Sequence, residues 1–389
     1  MIIEEAKRLS NVSEYYFSKK LDEIREMQKN GKNVINLGIG SPDLCPSENT
    51  IEALYKSAKN PDNHGYQNYR SISELRNTIA KFYKEIYNVS VDENEVLPLM
   101  GSKEGIMHIS MAFLNNGDEV LLPNPGYPTY TSVSNLVEAS IRYYDLDEKN
   151  NWLVNIDKLK NSDLSKVKIM WLNYPNMPTG AHINDKFYKE LIAFAKEKKI
   201  LLCNDNPYSL VLNNSPKSLL EFAGAKDVAI ELNSLSKSHN MAGWRVGWII
   251  GNKDYINSIL KVKSNMDSGM FLGIQHAAIE ALNNPQEWHA QRNEIYKKRK
   301  VLAHKLLDIL NCKYFDEQVG MFVWARIPDN IESVEKFTDD ILYSANVFIT
   351  PGIIFGTNGS RYVRVSLCCK ENVFEEAINR ILNKNITNV

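Results

Sequence analysis

The chain has 389 residues, 43% of them hydrophobic, enough to bury a large core and to divide into two domains. Its 46 basic and 47 acidic residues leave a formal net charge of -1, so no basic surplus points to nucleic acid. The stretch from Met1 to Arg8 lacks the basic-then-apolar order of a signal peptide, and no apolar run is long enough to cross a bilayer; a soluble cytoplasmic protein with no membrane partner is expected.

Five cysteines, Cys45, Cys203, Cys312, Cys368 and Cys369, show no CxxC spacing and read as reduced residues rather than a disulfide framework or zinc site. The seven histidines lack HExxH spacing, which removes support for a metal hydrolase.

In chain order, Val12 to Asn30 carries an amphipathic helical pattern that Gly31 ends. A short strand from Val34 enters the glycine-bearing turn Leu37-Gly-Ile-Gly-Ser-Pro-Asp43, and His64 to Arg76 leads into a helix running through Lys84. Val96 to Met100 reads as a strand, which Gly101-Ser-Lys-Glu-Gly105 turns into a helix over Ile106 to Leu114. A glycine turn at a helix start presents free backbone N–H groups and the positive end of the dipole, which suits a phosphate, with Ser102 and Lys103 beside it. Glu119 to Leu122 is a further apolar strand, and the prolines of Pro123-Asn-Pro-Gly-Tyr-Pro-Thr-Tyr130 stiffen the backbone around Tyr127.

Lys168 to Leu172 is strand-like and opens into Asn173-Tyr-Pro-Asn-Met-Pro-Thr-Gly-Ala181. Lys199 to Cys203 delivers Asn204-Asp-Asn-Pro-Tyr208 to its carboxyl end, where open parallel sheets place ligand sites; an aspartate there is also a common turn or cap residue. After the mostly apolar run Val228 to Leu232, Lys237 stands among Ser234, Ser236 and Ser238, either facing a polar pocket or in a serine-rich surface turn. Gly243 and Gly247 bracket Arg245 and let the backbone approach a ligand or a second strand.

Strands thus alternate with helical segments between residues 96 and 250, the pattern of an α/β domain with a mostly parallel sheet. Helices at Asp254 to Lys263 and Phe271 to Leu282 follow, and a long charged helix from Pro285 to Leu310 leads to a second domain. That domain has strands at Met321 to Ala325 and Val347 to Thr350 and a final helix at Glu371 to Leu382. Arg364 lies between Val363 and Val365 and so points opposite to those two apolar residues.

The order and spacing of these motifs, from about residue 34 to 366, resemble fold-type I pyridoxal-phosphate enzymes, specifically the class I and II aminotransferases. Ser234-x-Ser-Lys237 with Arg245 eight positions on, Asp205-x-x-Tyr208 upstream, and Pro351-Gly-x-x-Phe-Gly356 before Tyr362-Val-Arg364 carry the resemblance. Gly-Ser-Lys-Glu-Gly105 and the Leu37 opening look most like the subgroup that includes LL-diaminopimelate aminotransferases.

The resemblance implies a large, mostly parallel seven-stranded sheet domain over residues 46–285, and a smaller α+β domain built from both chain ends, 1–45 together with 286–389. It implies pyridoxal 5′-phosphate bound covalently by Lys237, with Asp205 at the ring nitrogen, Tyr208 at the phenolic oxygen and Tyr127 stacked on the ring. Ser102, Lys103, Ser234, Ser236 and Arg245 would hold the phosphate, joined by Tyr66 from the second chain of a homodimer with shared active sites. The backbone of Gly40 and the fork of Arg364 would take the substrate carboxylate, and Tyr15 would cover the substrate. The activity so implied moves an amino group between an L-amino acid and a 2-oxo acid by a ping-pong mechanism, Lys237 serving as proton carrier.

There is one departure. Met177 stands directly before Pro178, where the family usually places an asparagine that hydrogen-bonds the phenolic oxygen. Methionine cannot make that bond; either Asn176 replaces it through a shifted turn or the oxygen relies on Tyr208 alone. The departure keeps a second reading open, a pyridoxal-phosphate carbon-sulfur β-lyase on the same fold.

Overall fold

A computed structural model describes residues 3–12 and 16–384. Tyr15, the expected substrate cover, lies outside the described residues. The strands in chain order are β1 (Ile35–Asn36), β2 (Val96–Leu99), β3 (Glu119–Asn124), β4 (Ser140–Asp145), β5 (Val167–Leu172), β6 (Leu201–Asp205), β7 (Ala229–Ser234), β8 (Gly247–Gly251), β9 (Lys313–Tyr314), β10 (Phe322–Arg326), β11 (Val347–Phe348), β12 (Thr350–Pro351) and β13 (Tyr362–Ser366).

Seven of them form one sheet in the order β2-β8-β7-β6-β5-β3-β4. Neighbours from β7 to β4 are parallel, while β8 pairs antiparallel with both β7 and β2, so β8 alone runs the other way. Six strands therefore end at the same edge, and β8 begins there. The central strands are buried on both faces, which explains why they read as apolar runs rather than alternating patterns.

On one face Cys203, Ile230, Leu232 and Ile249 pack with Ile106 and Ile109 of the helix Ser102–Phe113 and with Ile256 and Ile259 of the helix Lys253–Lys263. That helix starts at Ser102, not at Ile106. Gly105 lies inside it, where an added Cβ would come within 2.7 Å of Leu99 and 2.8 Å of Leu232. The glycine lets the helix lie close against the sheet; it does not mark a boundary.

The smaller domain takes both chain ends. β1 pairs in parallel with β11, and β12, β13, β10 and β9 form an antiparallel sheet against which helices Gln286–Ile309 and Val334–Ala345 pack, while helix Glu371–Asn383 packs on those two helices and on β11. The expected strand at Val347 to Thr350 is thus two strands in different sheets. Arg299, on the long helix Gln286–Ile309, grips Asp43 with two bonds of 2.6 and 2.9 Å, fixing the turn that follows β1. No disulfide joins any of the five cysteines, and among the described residues no helix is long and apolar enough to cross a membrane.

Candidate active site

At the carboxyl edge of the large sheet, facing the smaller domain, lies a cavity of about 690 Å³. The helix Tyr16–Lys29 contributes Ser18, Leu21 and Arg25 to its wall, the turn after β1 contributes Gly40, and β13 contributes Arg364. Phe322 comes from β10, and the rest of the wall is carried by the ends of β2, β3, β5, β6 and β7 and the segments that follow them or precede β8, as expected for a ligand site on a parallel sheet.

Lys237 is placed by a serine cap. Ser234 ends β7 in extended conformation, and its Oγ accepts from Ser236 N at 2.9 Å and donates to Val246 O at 3.0 Å. This starts the short helix Leu235–Ser238 and turns Lys237 into the cavity, where Nζ donates to Gly40 O at 2.5 Å. Burial draws the Lys237 pKa below the ordinary lysine value; Cys368 opposes that, while Arg364 and Arg245 reinforce it. The amine is thereby kept closer to its neutral, basic form.

Asp205 closes β6 and is 5% exposed. Its Oδ2 accepts from the Tyr130 hydroxyl at 3.0 Å, while Oδ1 is buried without a partner. Burial raises its pKa from 3.8 to about 7, against the pull of the Tyr130 hydrogen bond. Tyr130 is held by stacking on Trp171 at 5.0 Å, and Tyr127 meets it edge-on at 5.6 Å from the cavity wall.

One end of the cavity is an anion cup. Gly101, at φ 88°, precedes the helix Ser102–Phe113, and the Arg245 guanidinium lies where a Gly101 Cβ would stand. An added Cβ on Gly247 would come within 2.5 Å of Ser102 N. Both glycines are required for this approach of arginine and backbone to the helix start. Ser102, Lys103, Ser236 and Arg245 share the wall. Ser234 lines it too, but its single hydroxyl proton goes to Val246 O, so it serves there as a cap rather than a donor to an anion.

The other end centres on Arg364. Its Nη2 donates to Gly38 O at 2.6 Å, Nη1 meets Met177 Sδ at 3.3 Å, and the guanidinium carbon sits 4.0 Å from the Phe322 ring centroid and 4.7 Å from that of Phe355. An added Cβ on Gly40 would overlap the Phe322 ring, so glycine is needed to leave this arrangement room. Tyr208 lines the cavity with its ring edge-on to Phe322 at 5.8 Å, and burial pushes its phenol pKa up.

Comparison with known proteins agrees with this geometry. The family model "Aminotransferase class I and II" matches residues 32–381. The chain belongs to that family. Two of its relatives are the LL-diaminopimelate aminotransferases of Halothermothrix orenii, 38% identical over 387 residues with 99% of each chain covered, and of Maridesulfovibrio salexigens, 40% identical over 381 residues with 97% of this chain and 98% of the relative covered. Among solved structures, apo BacF from Bacillus subtilis superposes with a TM-score of 0.94 at 37% identity, covering 98% of both chains.

As a class I and II aminotransferase the protein is a pyridoxal-phosphate enzyme of fold type I, and its residues fit that cofactor. The orphaned Asp205 Oδ1 is a buried acceptor waiting for a donor, and the glycine-floored cup with Arg245 suits a phosphate. Family membership sides with transfer over the β-lyase reading.

Asn176 and Tyr66 do not line the cavity of this chain, Tyr66 being expected in the site of a second chain. Asn176 is buried off the cavity wall, its Oδ1 accepting from Thr179 N at 3.3 Å and Thr179 Oγ1 at 2.8 Å, because the turn it starts consumes its side chain. Met177 faces the cavity in its place, and the amide that does line it, Asn173, donates to Asp205 O at 2.6 Å. Tyr66 is 93% exposed and away from the cavity of its own chain. Conversely, Tyr130, Asn173 and Phe322 were not anticipated. Asn173 had the same signal as Asp205, a polar residue just past a buried strand; Tyr130 sits three positions after Tyr127, one helical turn on.

Proposed function

We propose that this aminotransferase moves the amino group of an L-amino acid to a 2-oxo acid in two half-reactions, and that it prefers substrates with a second carboxylate. The observation that carries the reading is the convergence of Lys237, Asp205 and Arg364 on one cavity whose other charged groups, Arg25, Lys103 and Arg245, are all cationic. The relatives named LL-diaminopimelate aminotransferases act, by name, on a dicarboxylic amino acid, which agrees with a cationic wall.

In this reading Arg245, Ser102 and Ser236 hold the phosphate, Tyr127 covers the ring, Asp205 takes the ring nitrogen and Tyr208 the phenolic oxygen. When bound, pyridoxal phosphate supplies an aldehyde that captures amines and a ring that accepts the charge left as Cα loses its proton. Arg364 binds the α-carboxylate through two parallel hydrogen bonds and so turns the Cα–H toward Lys237. Lys237 Nζ, its pKa lowered by burial, takes that proton and returns it, a contribution of roughly 10²- to 10⁴-fold. Asp205, ionised against a protonated ring nitrogen, keeps the ring electron-poor.

We further infer a homodimer. Tyr66, with Tyr69 and Met266 also exposed, lies on a face that a second copy would cover, and Tyr66 would then complete the partner's phosphate cup. The test is a half-reaction screen that follows loss of the cofactor's visible absorbance with each amino acid in turn, LL-diaminopimelate and glutamate included. Borohydride should fix the cofactor to Lys237. A protein that stays colourless with pyridoxal phosphate, or one that bleaches equally with every amino acid, would defeat the reading.

A further inference from the structure

The long helix Gln286–Ile309 places Arg292 beneath the site, 3% exposed and outside the cavity. Its Nη1 donates to the carbonyl of Ser238, the residue after Lys237. Its Nη2 donates to the carbonyl of Leu210, two residues after Tyr208. Asn293 doubles the second hold, with Nδ2 donating to Leu210 O at 3.2 Å and Oδ1 accepting from Leu212 N at 3.2 Å and from Arg292 Nη2 at 3.0 Å.

Among the described residues no carboxylate forms a salt bridge with Arg292, and its neighbours His289, His239 and Trp288 are neutral or aromatic. His239 and His289 have pKa values depressed chiefly by burial, so neither competes for the carbonyls as a cation. Burial lowers the Arg292 pKa to about 10, which leaves the guanidinium charged at neutral pH. A desolvated cation with no counter-ion is costly, and the fold spends that cost on a fork that reaches two loops at once. A neutral donor could satisfy either carbonyl, but only a planar fork with several N–H groups reaches both in fixed geometry.

We propose that Arg292 is a positioning residue that sets the distance between the Lys237 amine and the Tyr208 hydroxyl by tying their two loops through Ser238 and Leu210. The inference rests on the cofactor reading above, in which those two groups meet the same bound molecule.

The test uses the holoenzyme and compares Arg292→Met, Arg292→Lys and Asn293→Ala with the parent. Three readouts are followed: pH titration of the bound cofactor's visible band, the rate at which borohydride fixes the cofactor to Lys237, and kcat apart from KM. Arg292→Met should shift the titration by at least half a pH unit and lower kcat 10- to 100-fold, with KM changed less than threefold; Arg292→Lys should recover part of both. Asn293→Ala, which removes the bonds to Leu210 O and Leu212 N and the Oδ1 acceptor of Arg292 Nη2 but leaves the Arg292 fork itself, should shift the titration in the same direction by less. It carries the test if Arg292→Met fails to fold. Variants whose titration and borohydride rate match the parent, however much thermal stability they lose, overturn the proposal. A parent protein with no visible band overturns instead the cofactor reading beneath it.

Discussion

Tyr130 gives its hydroxyl to one oxygen of Asp205 at 3.0 Å and leaves the other buried and unbonded. The carboxyl is therefore half satisfied, and without cofactor it holds a proton up to about pH 7 instead of 3.8. Between those values the folded chain binds a proton that the unfolded chain has released, so stability falls as pH rises. The slope from this group is up to about 1.4 kcal/mol per pH unit. Asp205→Asn removes it. The urea-unfolding stability of cofactor-free wild type minus that of Asp205→Asn should decline steadily from pH 4.5 to 7, and saturation with pyridoxal phosphate should abolish the decline. A difference independent of pH would contradict this account.

Tyr130→Phe keeps the ring against Trp171 but strips the one donor from Asp205. The carboxyl should become still harder to ionise, and its pairing with a protonated ring nitrogen weaker. One hydrogen bond to a charged group is worth about 1.5 to 3 kcal/mol, so cofactor dissociation should strengthen roughly 10- to 100-fold. Titrating the apo variant with pyridoxal phosphate checks this; an unchanged dissociation constant would assign Tyr130 to packing alone.

Much of this site was legible because its parts hang on the carboxyl ends of buried strands. An apolar run followed by Asp205 or by Lys237 among serines is readable from the residues, since a parallel sheet imposes both features. What stayed hidden depends on which way side chains turn inside loops. Asn176 and Met177 are adjacent, and only the turn's internal bonds to Thr179 show that the amide faces inward and the thioether faces the cavity. Gly105 looked like a helix boundary because close packing on Leu99 and Leu232 leaves no local mark. β4 and β8 escaped because one is a half-exposed edge strand and the other begins at a glycine needed for contact with Ser102.

Arg364→Lys keeps the charge and loses the fork. Lysine cannot form two parallel bonds to a carboxylate, nor lie flat against Phe322 as the guanidinium does. Loss of one charge-assisted bond should lower kcat/KM for the amino donor about 10- to 100-fold. Cofactor affinity should stay within twofold, because Arg364 lies at the end of the cavity away from the proposed phosphate cup. A fall in cofactor affinity equal to the fall in kcat/KM would place Arg364 in the wrong role.

Lys103 tests the preference for a second carboxylate. Its pKa is lowered by desolvation and then by the neighbouring Arg245 charge. Lys103→Ala should raise KM for glutamate about fivefold, the value of roughly 1 kcal/mol for a partly exposed ion pair, with alanine changed less than twofold. The wild-type preference for glutamate should also fade as pH rises, since the amine loses its charge earlier than an ordinary lysine. Equal effects on both amino acids would make Lys103 a phosphate ligand only.

Met177 offers the sharpest test of how the cofactor's phenolic oxygen is held. Its thioether lies against Arg364 and cannot donate, and Asn176 is turned away, so in the proposed pose Tyr208 and the second Nδ2 proton of Asn173, whose first goes to Asp205 O, are the donors left. A donor to that oxygen draws off negative charge that otherwise holds a proton on the nitrogen joining cofactor to lysine. Met177→Asn should therefore move the visible band's titration to lower pH by about 1 to 2 units, the equivalent of one charged hydrogen bond. The smaller side chain also leaves Arg364 less tightly packed, so a modest rise in substrate KM should accompany the shift without causing it. The titration, read without substrate, separates the two effects. A band that titrates where the parent's does would mean that the phenolic oxygen lies out of reach of position 177, and that Tyr208 and Asn173 must be examined instead.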